Sequence, residues 1–259
     1  MPFVETTNLR IHYELDGRAE GPTLVLSNSL GTNLSLWDSQ LPAFAQTFRV
    51  LRYDSRGHGQ TSTTQGKYSV EMLGRDVLQL LDALHLERVN FCGLSIGGMT
   101  GMWLAVNAPQ RLENLVLSNT APKIGKLDTW NERIRAVREG GTQAVAQQVV
   151  ERWFTPEFHA NHRDEVAKIR QMIESTSTDG YAASCAAVRD FDFWENVGMI
   201  HAQTLVIAGT HDASVPTSDA QKLAKQIPGA RYREFTAAHI SNVEAANQFT
   251  DEVSSFLCS

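Results

Sequence analysis

The sequence predicts an α/β fold: a mostly parallel central sheet flanked by helices, with one helical insertion. Three observations carry this. Short, continuously apolar runs recur along the chain, as strands buried on both faces require. Segments with apolar residues three and four positions apart separate them. One long stretch, from about Lys123 to Asp190, has helical patterning and no convincing strand.

Phe3 to Thr6 and Leu9 to Leu15 are short β-rich runs meeting at Asn8, which predicts an opening antiparallel hairpin. After Gly21-Pro22 the buried strands begin with Thr23 to Leu26. Further runs follow at Phe48 to Tyr53, Val89 to Cys92, Leu115 to Leu117 and Leu205 to Ala208, with a more polar one at Arg231 to Phe235. Leu73, Val77, Leu80, Leu81 and Leu84 mark an amphipathic helix, and Val243 to Phe256 supplies a last one. The insertion, rich in Ala, Gln, Arg and Glu, is punctuated at Gly140-Gly141, Thr155-Pro156 and Asp179-Gly180. The expected organisation is a core of residues 1–122 and 191–259, with residues 123–190 as a helical cap above the sheet.

At 259 residues, 42% hydrophobic and 20% charged, the chain is large enough for such a core and excludes disordered and fibrous classes. A formal net charge of -6 lacks the basic excess of a nucleic-acid binder. It also means that an anionic ligand needs a local cation. Three cysteines, Cys92, Cys185 and Cys258, have no metal-like spacing and read as reduced thiols. No apolar run reaches the roughly 20 residues of a membrane span, and the amino terminus has no secretory pattern. A cytoplasmic protein without membrane or nucleic-acid partners is expected. The oligomeric state is not legible.

The chemistry starts at Phe91 to Gly101, FCGLSIGGMTG, where an apolar strand is followed by a serine hemmed in by glycines. A strand that reverses into a helix within a few residues leaves little room for side chains, and Gly93, Gly97 and Gly98 supply that room. Ser95 then sits at a strained apex with its hydroxyl above the sheet. A serine hydroxyl is a weak nucleophile and needs a base, and the base needs an orienting acid. At such an elbow these partners follow in the order Ser, acid, His. Asp212 in IAGTHDASVP stands just past one predicted strand, and His239 in FTAAHISN just past the next. Parallel strands present their carboxyl ends on one side, so all three residues open onto the same edge. The backbone N–H of Ile96, and that of Leu30 in the loop Ser27 to Gly31, are the expected donors to a tetrahedral oxyanion.

Together, GLSIGG, RYDSRGHGQTS from Arg52 to Ser62, IAGTHDASVP and AAHISNVE make the chain resemble the α/β-hydrolase superfamily over essentially its whole length. Where many members have His-Gly before the oxyanion donor, this chain has Asn28-Ser29. Asp54, Arg56 and His58 fall in the superfamily's turn motif, which implies a structural role. Within the superfamily the chain is most similar to the 3-oxoadipate enol-lactonases, on NSLGTNLSLWDSQLPAF, GLSIGGMTGMWLA and ERWFTPEF from Glu151 to Phe158.

That resemblance implies opening of an enol-lactone to a linear keto-diacid in aromatic-compound catabolism, without metal or organic cofactor. Ser95 would be the nucleophile, His239 the base and Asp212 its orienting acid. The implied substrate is a small lactone bearing a carboxylate. On a helix predicted over Thr129 to Glu139, Trp130, Ile134 and Val137 share an apolar stripe and Arg133 falls beside it. Arg133 either anchors that carboxylate, with Trp130 and Trp153 as apolar walls, or bridges to an acid such as Asp190 or Glu151, or reaches solvent. A serine esterase, a perhydrolase or a carbon–carbon bond hydrolase would use the same three residues. Ser95 argues against a dehalogenase or epoxide hydrolase, which place an aspartate at the elbow. A catalytically idle binding protein is the competing class, and intact Ser95, Asp212 and His239 speak against it.

Overall fold

The computed structural model describes residues 2–259. Eight strands form one sheet: β1 (Phe3–Glu5), β2 (Arg10–Gly17), β3 (Thr23–Ser27), β4 (Arg49–Tyr53), β5 (Val89–Leu94), β6 (Leu112–Ser118), β7 (Gln203–Gly209) and β8 (Arg231–Phe235). Their spatial order is β1-β2-β4-β3-β5-β6-β7-β8. β1 and β2 form the predicted hairpin, with Phe3 opposite His12, and β2 joins β4 antiparallel. From β4 to β8 every pairing is parallel.

Helices α1 (Leu41–Phe44), α2 (Val70–Ala83) and α3 (Ile96–Asn107) occur among the first strands. α4 (Leu127–Gly140), α5 (Gln143–Trp153), α6 (Pro156–Asn161), α7 (Arg163–Ser175) and α8 (Thr178–Asp190) all lie between β6 and β7. α9 (Thr217–Gln226), α10 (Ser241–Glu244) and α11 (Ala246–Leu257) complete the chain. β3 and β5 in the sheet centre are buried almost throughout, which is why their sequences read as unbroken apolar runs.

Several strands extend beyond their apolar cores. β6 begins at Leu112, and the polar Asn114 within it donates from Nδ2 to Asn90 Oδ1 of β5 at 2.9 Å. The backbone ladder continues where side chains turn polar, so hydropathy alone clips strand ends. The last predicted helix is corrected to two, α10 and α11, broken at Ala245 (φ -116°, ψ 42°). Asn242 donates to Leu36 O at 2.9 Å, and Glu244 accepts the Ala238 N–H at 2.7 Å. These bonds pin α10 to neighbouring loops and prevent it from running collinear with α11.

The α4–α8 segment meets the strand edge through a close backbone approach. Gly180 in α8 faces Gly57, which has φ +73°, and a Cβ on either would overlap the other's backbone. Glu244 adds a second tie, accepting the Thr155 backbone N–H at 3.0 Å. Ile240 N–H donates to Trp153 O at 3.2 Å. The segment is thereby fixed to the loop that follows β4 and to the loop and short helix that follow β8.

Candidate active site

Ser95 occupies the apex between β5 and α3 at φ 57°, ψ -115°, a conformation that L-residues adopt at a cost of roughly 1–3 kcal/mol. Its surroundings enforce it. The Ser95 N–H donates to Ser118 O at 3.0 Å, and Thr120 Oγ1 donates to Ser95 O at 2.7 Å. A Cβ at Gly93 would overlap the Gly97 backbone, and one at Gly97 the Ser27 carbonyl. The glycines are therefore sites of close approach, with α3 packed hard against β3 and β5.

Asp212 follows β7 and His239 follows β8, and the two meet: His239 Nδ1 lies 2.8 Å from Asp212 Oδ2. Asp212 Oδ1 accepts the N–H groups of Ser214 (2.8 Å) and Val215 (3.0 Å), while Asn119 Nδ2 donates to Oδ2 at 3.1 Å. Burial alone would raise the pKa of Asp212. The His239 ring and these donors outweigh it and hold the carboxyl below its ordinary value. An ionised carboxylate only accepts, so in the neutral His239 ring Nδ1 carries the proton and Nε2 the lone pair. Trp153 packs on this imidazole, its ring centroid 5.7 Å away.

Ser95 and His239 line one cavity of about 150 Å³, together with Ser29, Leu30, Trp130, Arg133, Arg152 and Trp153 among others. Ile96 follows Ser95 directly in the chain, and Leu30 lines the same cavity as Ser95. Neither of their N–H groups finds a protein acceptor among the described residues. Ile96 N–H opens α3, where the first amides of a helix have no internal acceptor.

The arginines define the electrostatics. Arg133 stacks its guanidinium 4.8 Å from the Trp130 ring centroid, and Trp130 Nε1 donates to Ile124 O at 2.7 Å. The acids that the sequence offered it are engaged elsewhere: Asp190 binds Arg189 at 2.6 and 2.7 Å, and Glu151 accepts from Gln147 at 2.8 Å. Arg152 was not singled out in the sequence; it reaches the same cavity from the end of α5. Its Nε is buried without a protein partner, and burial together with the charge of Arg133 lowers its pKa. Among the described residues neither arginine pairs with a carboxylate. Two adjacent cations without a counter-charge have the chemistry to hold an anion. The Tyr181 hydroxyl is buried in the same cationic field.

One other signal was missed. Asn119 (φ 46°) grips both Asp212 and Ala238 O, each at 3.1 Å, so it couples the acid to the histidine loop. A left-handed Asn just past β6 is a recognisable turn signal, but its partners lie far along the chain. The turn motif of Asp54, Arg56 and His58 is tied into the fold by hydrogen bonds. Asp54 accepts His12 Nδ1 at 2.7 Å and the N–H groups of Leu34 and Gln60 at 2.8 Å each, and Arg56 pairs with buried Asp76. Of the three free cysteines, Cys92 and Cys185 are buried, and burial raises both thiols, that of Cys185 to about 12. Neither is a competing nucleophile.

This arrangement places the protein in the class of open α/β sheets that gather their polar groups on loops beyond the carboxyl ends of parallel strands. The chain belongs to the α/β hydrolase family: the pattern of the alpha/beta hydrolase fold matches residues 22–246. It is 40% identical over 246 residues to 3-oxoadipate enol-lactonase 2 of Acinetobacter baylyi, covering 95% of this chain and 92% of that one. A crystal structure of the enol-lactonase from Burkholderia xenovorans LB400 superimposes with a TM-score of 0.98 at 42% identity, over 100% of both chains. A protein named for carbamate hydrolysis in Stutzerimonas stutzeri is 31% identical, over 92% of this chain and 93% of its own. Among the described residues no helix is long and apolar enough to cross a membrane.

Proposed function

We propose that this protein is a cytoplasmic serine hydrolase that opens a small carboxylate-bearing enol-lactone, 3-oxoadipate enol-lactone, to the keto-diacid in aromatic-compound catabolism. The observation that carries this reading is the pair Arg133 and Arg152, without acidic partners among the described residues, in the cavity that also holds Ser95 and His239. A simple neutral ester or carbamate gives those charges nothing to bind. The similarity to enol-lactonases supports the same substrate class.

In this reading Ser95 Oγ attacks the lactone carbonyl while His239 Nε2 takes its proton, and Asp212 steadies the imidazolium. The N–H groups of Leu30 and Ile96 hold the tetrahedral oxyanion. Collapse breaks the ring carbon–oxygen bond, and the departing enol oxygen takes the proton from His239. The ring opens, so the leaving half stays tethered to the acyl group. Water, deprotonated by His239, then attacks the acyl carbon, and Ser95 Oγ leaves with that proton. Arg133 and Arg152 hold the carboxylate, and Trp130 and Trp153 wall the ring. Residues 123–190 act as a cap over a core of 1–122 and 191–259. They bring both arginines to the serine and exclude water.

The test is turnover of the enol-lactone beside a neutral aryl ester and a simple carbamate. The proposal expects the lactone to be preferred in kcat/KM and the keto-diacid to accumulate. Preference for either neutral substrate overturns it.

A further inference from the structure

The loop that carries Leu30 holds its amide by bonds whose purpose the fold alone does not explain. Ser29 C=O and Leu30 N–H are opposite ends of one peptide, which is planar and trans, so fixing the carbonyl fixes the direction of the N–H. The Ser29 carbonyl is gripped twice by one residue. Thr32 Oγ1 donates to it at 2.8 Å and the Thr32 N–H at 3.2 Å. Thr32 is fully buried, so water does not compete for these bonds. Ser29 and Leu30 meanwhile line the cavity with Ser95.

The next peptide is held as well. The Gly31 N–H donates to His58 Nε2 at 2.9 Å, and Gly31 itself is at φ +79°. His58 Nδ1 lies 3.0 Å from Arg56 O, and a carbonyl only accepts, so the proton sits on Nδ1 and Nε2 offers a lone pair. Burial lowers the pKa of His58, which keeps the ring in this neutral form. From the α4–α8 segment, Thr176 Oγ1, which donates to Met172 O at 2.8 Å, also lies 3.3 Å from Gly31 O.

A flip of the Ser29–Leu30 peptide would break both Thr32 bonds. It would also turn the Ser29 carbonyl oxygen toward the place where the Leu30 N–H now points. An oxyanion there would face a carbonyl dipole of the wrong sign, and stabilisation would become repulsion.

We propose that Thr32, supported by His58, is a positioning residue that locks the Ser29–Leu30 peptide with its N–H toward the oxyanion of the tetrahedral intermediate. This rests on the reading of Leu30 as an oxyanion donor. It gives the Arg-Gly-His turn, otherwise structural, a defined part in the chemistry. It also explains how a loop with Asn28-Ser29 in place of His-Gly keeps its donor in line.

The test compares Thr32→Val, which deletes only the hydroxyl, with Thr32→Ser, which retains it, using p-nitrophenyl acetate and a phenylboronic acid that forms a tetrahedral adduct on serine. For Thr32→Val the expected result is a fall in kcat of at least about tenfold, toward the roughly 10²–10³ of outright donor removal, with KM held. Boronate affinity should fall in the same proportion, and Thr32→Ser should restore both. His58→Gln, which keeps an acceptor near Nε2, should stay active where His58→Phe loses kcat. Unchanged kcat in Thr32→Val, or a loss confined to KM or to melting temperature, overturns the proposal. A fluorophosphonate probe separates the two levels. If the wild type is labelled and Thr32→Val is labelled equally fast, the positioning role alone fails. If the wild type is not labelled at all, the serine-hydrolase reading falls with it.

Discussion

His239 Nδ1 sits 2.8 Å from Asp212 Oδ2, and the other oxygen of that carboxylate is held by two backbone amides. A carboxylate fixed on both oxygens cannot rotate away, so the imidazole inherits its orientation from the β7 loop.

Asp212→Asn should therefore lower kcat by on the order of 10⁴, the loss seen when such a histidine is left in the wrong tautomer. A stability signature accompanies it. The folded-state pKa of Asp212 lies below the unfolded one, so ionisation favours the fold. That contribution is complete above the ordinary carboxylate value of about 3.9 and is lost as pH falls through the lower folded value. Thermal melts of wild type and Asp212→Asn should converge across that window. A gap that stays constant with pH would refute the direction of the shift.

Ser95→Ala should reduce kcat by about 10⁶, as for other serine nucleophiles of this type, and abolish fluorophosphonate labelling. Ser95→Gly should be equally inactive yet more stable than Ser95→Ala. Elsewhere glycine is the worse choice by about 0.5–1 kcal/mol. At φ 57° the Cβ is the source of strain, so the order reverses. Differential scanning calorimetry decides it.

Arg133→Met and Arg152→Met should each lower kcat/KM for the carboxylated lactone by about 1.5–3 kcal/mol, the range for a hydrogen bond to a charged group. A neutral aryl ester should be turned over as before. Equal losses on both substrates would assign the arginines to cap architecture instead of recognition.

Asp54→Asn should cost about 1–3 kcal/mol of stability, because one carboxylate oxygen that accepts an amide N–H becomes a competing donor. The protein that remains folded should keep most of its turnover. An unchanged melting temperature with a failed chemical step would place Asp54 in the chemistry.

The Ser95 elbow was legible because its constraint is local: a strand, a tight reversal and a helix within eleven residues leave room only for glycine around the serine. The positions of Asp212 and His239 were legible because each follows a strand by three or four residues, and parallel strands share an exit side. Trp130, Ile134 and Val137 were legible from helical spacing, and all three are buried. Arg152 was not, since nothing in Glu151 to Phe158 shows which way the end of α5 faces.

By itself the sequence determined the alternation of strands and helices, the strained serine and the order of the candidate site residues. These depend on backbone sterics and on periodicities set by neighbours a few positions apart. Only the tertiary structure decided that Arg133 and Arg152 share one cavity without a counter-charge among the described residues, that Asn119 grips Asp212, and that Thr32 and His58 hold the Leu30 loop. Asn119 lies 93 positions from Asp212, and Gly31 lies 27 from His58. Such pairs are brought together by packing of the whole core, and no local pattern encodes which distant partner a polar group will find.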